Sequence, residues 1–415
     1  MYLIKIYIFE RRRPGGYPGE IMKKPVIVSA VRTAGGRFGG GLSSLSAGDL
    51  GAAVVAEVVK RAGISGEDVD QLIFGCGWQA GIGPNIARIC AVKGGLPIEV
   101  PAYTINIRCM SSTQAAIEGH RMVALGDADV VIVGGVESAS NVPYLIPQAR
   151  WGARMWDFPV YDGLHMDGFK CMLAGMFMGD TAEILAEKYN ISRLEQDEFA
   201  LTSHQKAIKA MEEGRFKEEV LPIEVKKRKE TVTVAEEEIP RANASVEAMG
   251  RLPAVFKKDG GTVTAANACA LCDCASALVI MSEEKAKALG ITPMATIKGY
   301  GVAGVDPKEM GLGPVASTPI ALKKAGMEID DIDLIELNEA FAAQYLACER
   351  DLKLDRDKVN VFGGAIALGH PVGATGTKLM ATNIYALKAL DKTFGLVTAC
   401  VGGGQGLAVV LERLN

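Results

Sequence analysis

The sequence has no long hydrophobic run and no excess of charge of one sign. No stretch approaches the roughly 18 uninterrupted apolar residues of a membrane-spanning helix. The 45 Lys and Arg residues nearly balance the 49 Asp and Glu residues, and the formal net charge is −4. A basic face that binds nucleic acid or an anionic membrane is therefore not expected. A hydrophobic content of 49% also excludes a disordered chain.

The features of a secreted protein are missing as well. In MYLIKIYIFERRR (residues 1–13) the apolar stretch precedes the basic cluster, which reverses the order of a signal peptide. Nine cysteines are an odd number, which disfavours a disulfide framework and favours the reducing cytoplasm. The stretch MKKPVIVSAVRT from Met22 is typical of a natural start followed by a buried strand. We therefore expect residues 1–21 to be an extension outside the folded core.

Glycine, in contrast, is abundant, with 48 of 415 residues or about 12%, against roughly 7% in average proteins. The excess is clustered within residues 35–41, 363–376 and 402–406. Such clusters predict tight turns and a close approach of the backbone to a ligand.

The chain repeats itself at long range. AGISGEDVDQLIF (62–74) and AGMEIDDIDLIEL (325–337) each have the pattern of a helix end, an acidic turn and an apolar strand. The correspondence continues from residues 104–135 to residues 359–404, each a strand, a helix of small residues and a second strand. The repeat predicts two similar α/β halves with parallel crossover connections.

Residues 140–270 interrupt this repeat. An aromatic and Met-rich stretch leads to helical patterns, with Ser192 and Glu195 as a capping box, and then to two short strands in PIEVKKR and ETVTVAE. We interpret this segment as an insertion domain.

Two glycine motifs suggest nucleotide binding only weakly. GCGWQA (75–80) follows a strand, but no acidic residue ends a second strand about 20 residues later, so a tight turn is favoured. GATGTK (373–378) lacks the GK[ST] order of a phosphate-binding loop.

Cys109 ends an apolar strand and opens a helix, where the field of the helix N-terminus favours a thiolate. A small buried cysteine is the alternative interpretation. His370, one of four histidines, lies in GGAIALGHPVGATG at the matching place of the second half. A cysteine that faces a histidine is the minimal activated nucleophile. Cys400 and Asn338 also follow predicted strand ends, where open α/β sheets bind ligands.

Cys109 in its strand-to-helix context, NEAFA (338–342), GGAIALGHPVGATG (363–376) and CVGGGQG (400–406) together resemble the thiolase family. The resemblance covers residues 22–415. It implies an α/β thiolase fold, with two pseudo-duplicated five-stranded halves in a five-layer α-β-α-β-α arrangement and a CoA-binding loop domain. The implied boundaries are 22–139 plus about 271–291 for the N-terminal half, 140–270 for the loop domain and 292–415 for the C-terminal half.

The resemblance also implies an acyltransferase that cleaves a 3-oxoacyl-CoA with CoA or condenses two acyl-CoAs. Cys109 attacks the 3-keto carbon, and His370 accepts its proton and shares the oxyanion with a water fixed by Asn338. Cys400 protonates the departing enolate or generates it in the reverse direction. The backbone N–H groups of Cys109 and Gly402 stabilise the thioester oxygen. CoA is a cosubstrate, and no metal or permanently bound cofactor is implied.

The sequence departs from the family pattern near the expected substrate path. Met110 replaces a small residue, Phe177 replaces the histidine of a His-Met-Gly motif, and Ile184 replaces an asparagine. Added apolar volume predicts a pocket reshaped for a bulky or aromatic acyl group, such as that of benzoylsuccinyl-CoA. An ordinary acetoacetyl-CoA or 3-ketoacyl-CoA thiolase is the alternative. The acyl-pocket residues implied by the resemblance are Met110, Phe177, Met178, Met310 and Phe341.

The implied CoA contacts are Arg241, Leu252, Phe256, Ala265 and Cys269. The loop ACALCDC (268–274) replaces the usual ASGxNDG, so that cysteines stand at three positions. A second ligand pair for a structural zinc is missing, which favours small packed positions over a metal site.

Two further functions fit the same fold. A decarboxylating ketosynthase is disfavoured by Cys400. A non-catalytic thiolase-fold subunit is disfavoured because Cys109, Asn338, His370 and Cys400 are all retained.

The expected partners are acyl-CoA substrates and a second copy of the chain, as a homodimer or a dimer of dimers. A benzoylsuccinyl-CoA enzyme would add a small zinc-containing OB-fold subunit.

Overall fold

The computed structural model describes residues 22–415, and the extension predicted at residues 1–21 lies outside the described residues. The strands are β1 (Pro25–Thr33), β2 (Gly36–Arg37), β3 (Gln71–Gly75), β4 (Ala102–Ile105), β5 (Val130–Ser138), β6 (Tyr144–Leu145), β7 (Tyr161–Asp162), β8 (Lys170–Cys171), β9 (Met176–Phe177), β10 (Val220–Leu221), β11 (Ile223–Lys226), β12 (Thr231–Val234), β13 (Cys272–Ser282), β14 (Ala295–Gly304), β15 (Leu334–Leu337), β16 (Phe394–Val401) and β17 (Gln405–Arg413). The helices are α1 (Ala47–Ala62), α2 (Ile86–Lys93), α3 (Ser111–Ala124), α4 (Met178–Lys188), α5 (Arg193–Glu212), α6 (Val246–Gly250), α7 (Glu283–Ala288), α8 (Gly313–Ala325), α9 (Ala342–Leu352), α10 (Ala365–Leu368) and α11 (Thr375–Ala389). None of these helices is long and apolar enough to cross a membrane.

The principal strands form two sheets of matching order, as the internal repeat predicts. The first runs β4-β3-β5-β13-β1 and the second β15-β16-β17-β14. β3 pairs in parallel with β4 and β5, and β15 pairs in parallel with β16. The two sheets join edge to edge at one residue pair, Ile27 with Ala295. Each of these three parallel pairings requires a crossover connection, and α3 directly precedes β5 as α11 directly precedes β16.

The repeat is imperfect at the edge of the second sheet. The strand predicted at residue 359 is reduced to a single bridge between Val359 and Ile335. Asn360 has a φ of 46°, and its side-chain amide donates to the carbonyl of Leu337 and accepts from the N–H of the same residue. A side chain therefore satisfies the backbone groups of β15 that a longer strand would have paired.

Apolar side chains form three main clusters that separate five layers. One cluster lies between α1, α2 and the first sheet, and another between the second sheet and helices α8 and α9. The third contains α3 and α11 and the facing sides of both sheets, with Ile117 and Ile384 from the helices. This order of layers confirms the α-β-α-β-α arrangement of the thiolase fold.

The insertion contains α4, α5, α6 and an antiparallel hairpin of β11 and β12. Ser192 caps α5 by accepting the N–H of Glu195 at 3.1 Å, as the sequence predicts. The carboxylate of Glu195 instead pairs with Arg350 at 2.7 Å. The predicted capping box is therefore only half formed, because the acid has a charged partner from another element.

Candidate active site

Four sequence-predicted residues converge on one small cavity. Cys109, His370, Cys400 and Gly402 line a space of about 60 Å³ between the two halves of the repeat. Asn338 follows β15 directly and lies just before two further residues of the lining, Ala340 and Phe341. The pseudo-symmetry seen in the sequence thus does bring Cys109 and His370 to the same place.

Cys109 lies in a short turn, Arg108–Met110, that leads directly into α3. The hydroxyl of Ser111 fixes this turn, because it donates to the carbonyl of Arg108 at 2.6 Å and accepts the N–H of Ile107 at 3.0 Å. Burial raises the pKa of the Cys109 thiol, against the opposing effects of the Arg108 charge and the N–H of Gly402. Cys109 is therefore a thiol. The thiolate expected at this position is not favoured, because desolvation outweighs the Arg108 charge and the backbone N–H groups.

His370 lies between α10 and α11 and is 7% exposed. Burial, and then the charges of Lys378 and Arg108, lower its pKa to about 3, so the imidazole is neutral at ordinary pH. Its Nδ1 forms a 2.6 Å hydrogen bond with the hydroxyl of Thr375. That bond orients the ring, and in the tautomer whose Nδ1 donates to Thr375 the Nε2 atom is free to act as a base.

Lys378 holds the loop that carries His370. Its buried ammonium donates to the carbonyls of Leu368 at 2.6 Å and Gly369 at 2.9 Å. GATGTK, which lacks the order of a phosphate-binding loop, has a different role that its sequence pattern does not indicate. Thr375 and Lys378 of this motif bind the histidine and its loop.

Glu137, also missed from the sequence, connects the two halves near the cavity. Its buried carboxylate accepts the N–H groups of Gly77 at 2.8 Å, Trp78 at 3.1 Å and Gly373 at 2.7 Å. Burial raises the pKa of Glu137, and these three hydrogen bonds oppose the rise. The turn GCGWQA is thereby fixed against the loop that follows His370.

Two other cysteines lie beside Cys109. Burial, and then the proximity of Cys109, raise the pKa of Cys400 well above its ordinary value and that of Cys269 to about 12. Both are therefore thiols that can donate a proton. The neighbouring Cys272 and Cys274 are fully buried in β13. Within residues 22–415 no group of three or more His, Cys, Asp or Glu side chains could hold a metal ion.

Asn338 is buried, and neither atom of its side-chain amide has a hydrogen-bond partner among the described residues. Burying an amide without partners costs about 1–3 kcal/mol. Such a group in a folded enzyme indicates that it binds something else, such as substrate or a water molecule.

A larger pocket of about 460 Å³ adjoins the small cavity, and both are lined by His370, Cys269 and Phe341. Phe177 and Phe256 line the larger pocket, Met178 lines both, and Met310 lines the small cavity. Most of this lining is apolar, which suits a long flexible ligand with few charges.

Other predicted contacts lie elsewhere. Met110 is fully buried in the cluster between the two sheets and lines neither cavity. Arg241 and Ala265 are exposed, and Leu252 packs against the cluster beside α9. None of these three residues lines either cavity.

A row of aromatic contacts runs beside both cavities. Ring centroids are 5.5 Å apart for Trp78 and Phe169, 5.9 Å for Phe169 and His165, and 5.7 Å for His165 and Phe177, all edge to face. The guanidinium of Arg108 lies 5.0 Å from the centre of the Trp78 ring. No periodic pattern in the sequence indicates this row, because its members come from separate segments of the chain.

Comparisons with known proteins agree with the geometry. The family model for the thiolase N-terminal domain matches residues 25–284, and that for the thiolase C-terminal domain matches residues 291–413. Acetyl-CoA acetyltransferase of Escherichia coli strain K12 is 49% identical over 395 residues, which are 95% of this chain and 100% of that protein. Beta-ketothiolase BktB of Cupriavidus necator is 45% identical over 94% of this chain and 100% of that protein. The crystal structure of the Bacillus anthracis acetyl-CoA acetyltransferase superposes with a TM-score of 0.93 at 43% identity, covering 95% of this chain and 100% of that one.

Proposed function

The chain belongs to the thiolase family, and from that premise we propose that it cleaves a 3-oxoacyl-CoA with CoA, or condenses two acyl-CoAs in reverse. The observation that supports this most is the single cavity lined by a thiol nucleophile, a neutral histidine and a second thiol. These are the groups that a carbon–carbon cleavage through an acyl-enzyme needs.

In the first half-reaction the sulfur of Cys109 attacks the 3-keto carbon while its proton passes to Nε2 of His370. The oxyanion that forms is stabilised by the imidazolium and by a water held by the unpartnered amide of Asn338. The bond between C2 and C3 then breaks and its electron pair moves to C2 as a thioester enolate. Cys400 donates its proton to C2, and the first acyl-CoA leaves.

Before the second half-reaction the imidazolium of His370 gives its proton to the thiolate of Cys400, so that both groups are neutral again. The thiol of CoA then attacks the acyl group on Cys109 while its proton passes to His370. The sulfur of Cys109 leaves as a thiolate and takes that proton from His370. The N–H of Gly402 forms a hydrogen bond with the Cys109 thiol, so it lies close to where the oxygen of a thioester on Cys109 would form, and we propose that it donates to that oxygen. The N–H of Cys109, in the turn before α3, is the proposed second donor.

We assign the 460 Å³ pocket to the pantetheine arm of CoA, the cosubstrate. Its apolar walls, including Phe256 and Cys269, suit a chain that carries no charge between its pyrophosphate and its thiol. Arg241, Leu252 and Ala265 lie outside this pocket, and we propose that they contact the nucleotide end of CoA.

The space beside Cys109 favours a short acyl group, since about 60 Å³ holds only a few heavy atoms. Short 3-oxoacyl-CoA esters are therefore the first substrates to test. An aromatic acyl group, as in benzoylsuccinyl-CoA, is the second candidate. Phe169 lines the small cavity itself, and its ring, which contacts His165 edge to face, offers a surface for an aromatic acyl group.

Thiolysis is tested by incubating the protein with CoA and acetoacetyl-CoA, 3-oxohexanoyl-CoA or benzoylsuccinyl-CoA, and by following loss of the 3-oxo thioester. Rapid quenching followed by mass spectrometry should find an acyl group on the peptide that contains Cys109. If no substrate turns over and no peptide is acylated, the chain is a non-catalytic subunit and the proposal is wrong.

A further inference from the structure

Arg108 places a positive charge in the wall of the catalytic cavity. It precedes Cys109 directly and is one of the residues that line the 60 Å³ space. Its Nη1 donates to the carbonyl of Gly77 at 2.9 Å, and its guanidinium lies over Trp78. Among residues 22–415, no carboxylate forms an ion pair with the Arg108 guanidinium.

The conformation of Arg108 fixes this charge in place. Its φ is 59°, in the left-handed region that residues other than glycine rarely adopt. Its N–H donates to the side chain of Asn106 at 3.1 Å, and its carbonyl accepts from Ser111. Strain of this kind persists only where the surroundings impose it, and it concentrates at functional sites.

The charge of Arg108 acts on the cavity. It lowers the pKa of the Cys109 thiol and that of His370. Arg108 also lies close enough to Glu137 to lower the pKa of that carboxyl. The carboxylate of Glu137, however, already accepts hydrogen bonds from three backbone N–H groups. Lys378, the other cation near His370, donates to two carbonyls. In the part of the chain that the structure describes, no carboxylate is thus bound to the Arg108 guanidinium.

We propose that Arg108 determines substrate specificity by binding a free carboxylate of the substrate, so that the favoured substrates are 3-oxo thioesters of dicarboxylic acids. A guanidinium has five N–H donors in a planar fork that matches a carboxylate, and only one is used by Gly77. The small cavity requires a carboxylate within a few bonds of C3. This inference rests on the proposed thiolase function.

The carboxylate is either at the end of the acyl chain or on a branch at C2, and two substrate pairs separate these positions. The first pair is 3-oxoadipyl-CoA and 3-oxohexanoyl-CoA. The second is 2-acetylsuccinyl-CoA and 2-ethylacetoacetyl-CoA. In each pair a carboxylate replaces a methyl group, and acetoacetyl-CoA serves as the common reference. The measured quantity is the ratio of kcat/KM within each pair.

The wild-type protein should prefer the carboxylated member of at least one pair by about 10-fold or more, the scale of a charge-assisted hydrogen bond. In Arg108→Met that ratio should fall to about one or below, while Arg108→Lys should keep part of it. Weaker activation of Cys109 would lower both members of a pair equally, so the ratio isolates recognition. If the wild type cleaves acetoacetyl-CoA but prefers the neutral member of both pairs, the role of Arg108 is overturned and the thiolase function stands. If the wild type cleaves no substrate, both proposals are overturned.

Discussion

Burial sets the protonation of the reacting side chains. It raises the pKa of Cys109 and of Cys400, and it lowers the pKa of His370 to about 3. All three groups are therefore uncharged before the reaction begins. A proton has to move from Cys109 to His370 as the sulfur attacks, and the surrounding charges decide how easily it does.

The pH dependence of thiolysis should reflect these values. Below its pKa His370 is protonated and cannot accept a proton, and above its own pKa Cys109 is already a thiolate. We expect kcat/KM for acetoacetyl-CoA to be level between about pH 5 and pH 8. The measurement is initial rates across that range at constant ionic strength. An acidic inflection near 6.5, the ordinary pKa of histidine, would contradict the neutral, buried His370.

Replacing Cys109 by alanine should abolish turnover and leave the fold intact. Without the sulfur no acyl-enzyme can form, so we expect the thiolysis rate to fall by roughly 1,000-fold or more. Binding of CoA, measured by calorimetry, should change little. Cys90→Ala is the control, because Cys90 is buried beside α1 and lines neither cavity. Undiminished turnover by Cys109→Ala would overturn the mechanism.

Lys378 offers a test of positioning. Lys378→Met leaves the carbonyls of Leu368 and Gly369 unpaired and removes a charge that lowers the pKa of His370. We expect a loss of about 1–3 kcal/mol in the free energy of unfolding. The acidic limb of the pH–rate profile should also move to higher pH. Lys378→Arg retains the charge and should keep the limb in place. If the acidic limb of the pH–rate profile does not move in Lys378→Met, Lys378 has a structural role only.

At the scale of elements, the catalytic groups depend on how closely α3 and α11 approach each other in the central layer. The backbone of α11 contacts that of α3 at Gly376, where an added Cβ would lie 2.6 Å from the backbone nitrogen of Thr113. α3 begins two residues after Cys109 and α11 begins five residues after His370, the proposed nucleophile and base. The spacing of these helices therefore sets the distance between nucleophile and base.

Gly376→Ala should separate α3 from α11. Overpacking of this kind costs about 1–3 kcal/mol of stability. It also shifts the adjacent Thr375, whose hydroxyl orients His370, so kcat should fall as well. Thermal unfolding and acetoacetyl-CoA thiolysis measure the two effects. Gly250→Ala is the stability control, because a Cβ there meets no atom within 4 Å, and its melting temperature should match the wild type.

At the scale of the whole molecule, large exposed apolar side chains are concentrated in one segment of the chain. Trp151, Met155 and Trp156 are 82%, 76% and 87% exposed, and Tyr144 and Phe158 are also exposed, all within residues 144–161. A contiguous stretch of this kind is typical of a protein interface. We propose that it contacts a second copy of the chain and supports the homo-oligomer expected from the resemblance.

Introducing charge there should reduce the oligomeric state. Trp151→Glu combined with Trp156→Glu would bury two carboxylates in the interface, which opposes association. Light scattering after size-exclusion chromatography should show a larger species for the wild type than for the double variant. Leu125→Glu, at a residue 67% exposed at the end of α3, is the control and should leave the mass unchanged. A monomeric wild type would contradict the proposal.

The sequence alone determined the duplicated α/β architecture and the approach of Cys109 to His370. Both follow from local patterns, since a strand followed by a helix of small residues repeats in each half and chain order fixes the crossover. The sequence predicted that Met110 lines the acyl pocket, whereas Met110 is buried in the cluster between the two sheets. Adjacent residues in a turn point in opposite directions, and the sequence does not show which of them faces the core.

Only the tertiary structure decided the charges of the site and their partners. Arg108, Glu137 and Lys378 show no pattern along the chain, and their roles arise from contacts between loops far apart in sequence. The tertiary structure also decided the protonation state of Cys109. The helix N-terminus visible in the sequence predicts a thiolate, but desolvation of the sulfur between the two halves favours the thiol and outweighs the Arg108 charge and the backbone N–H groups.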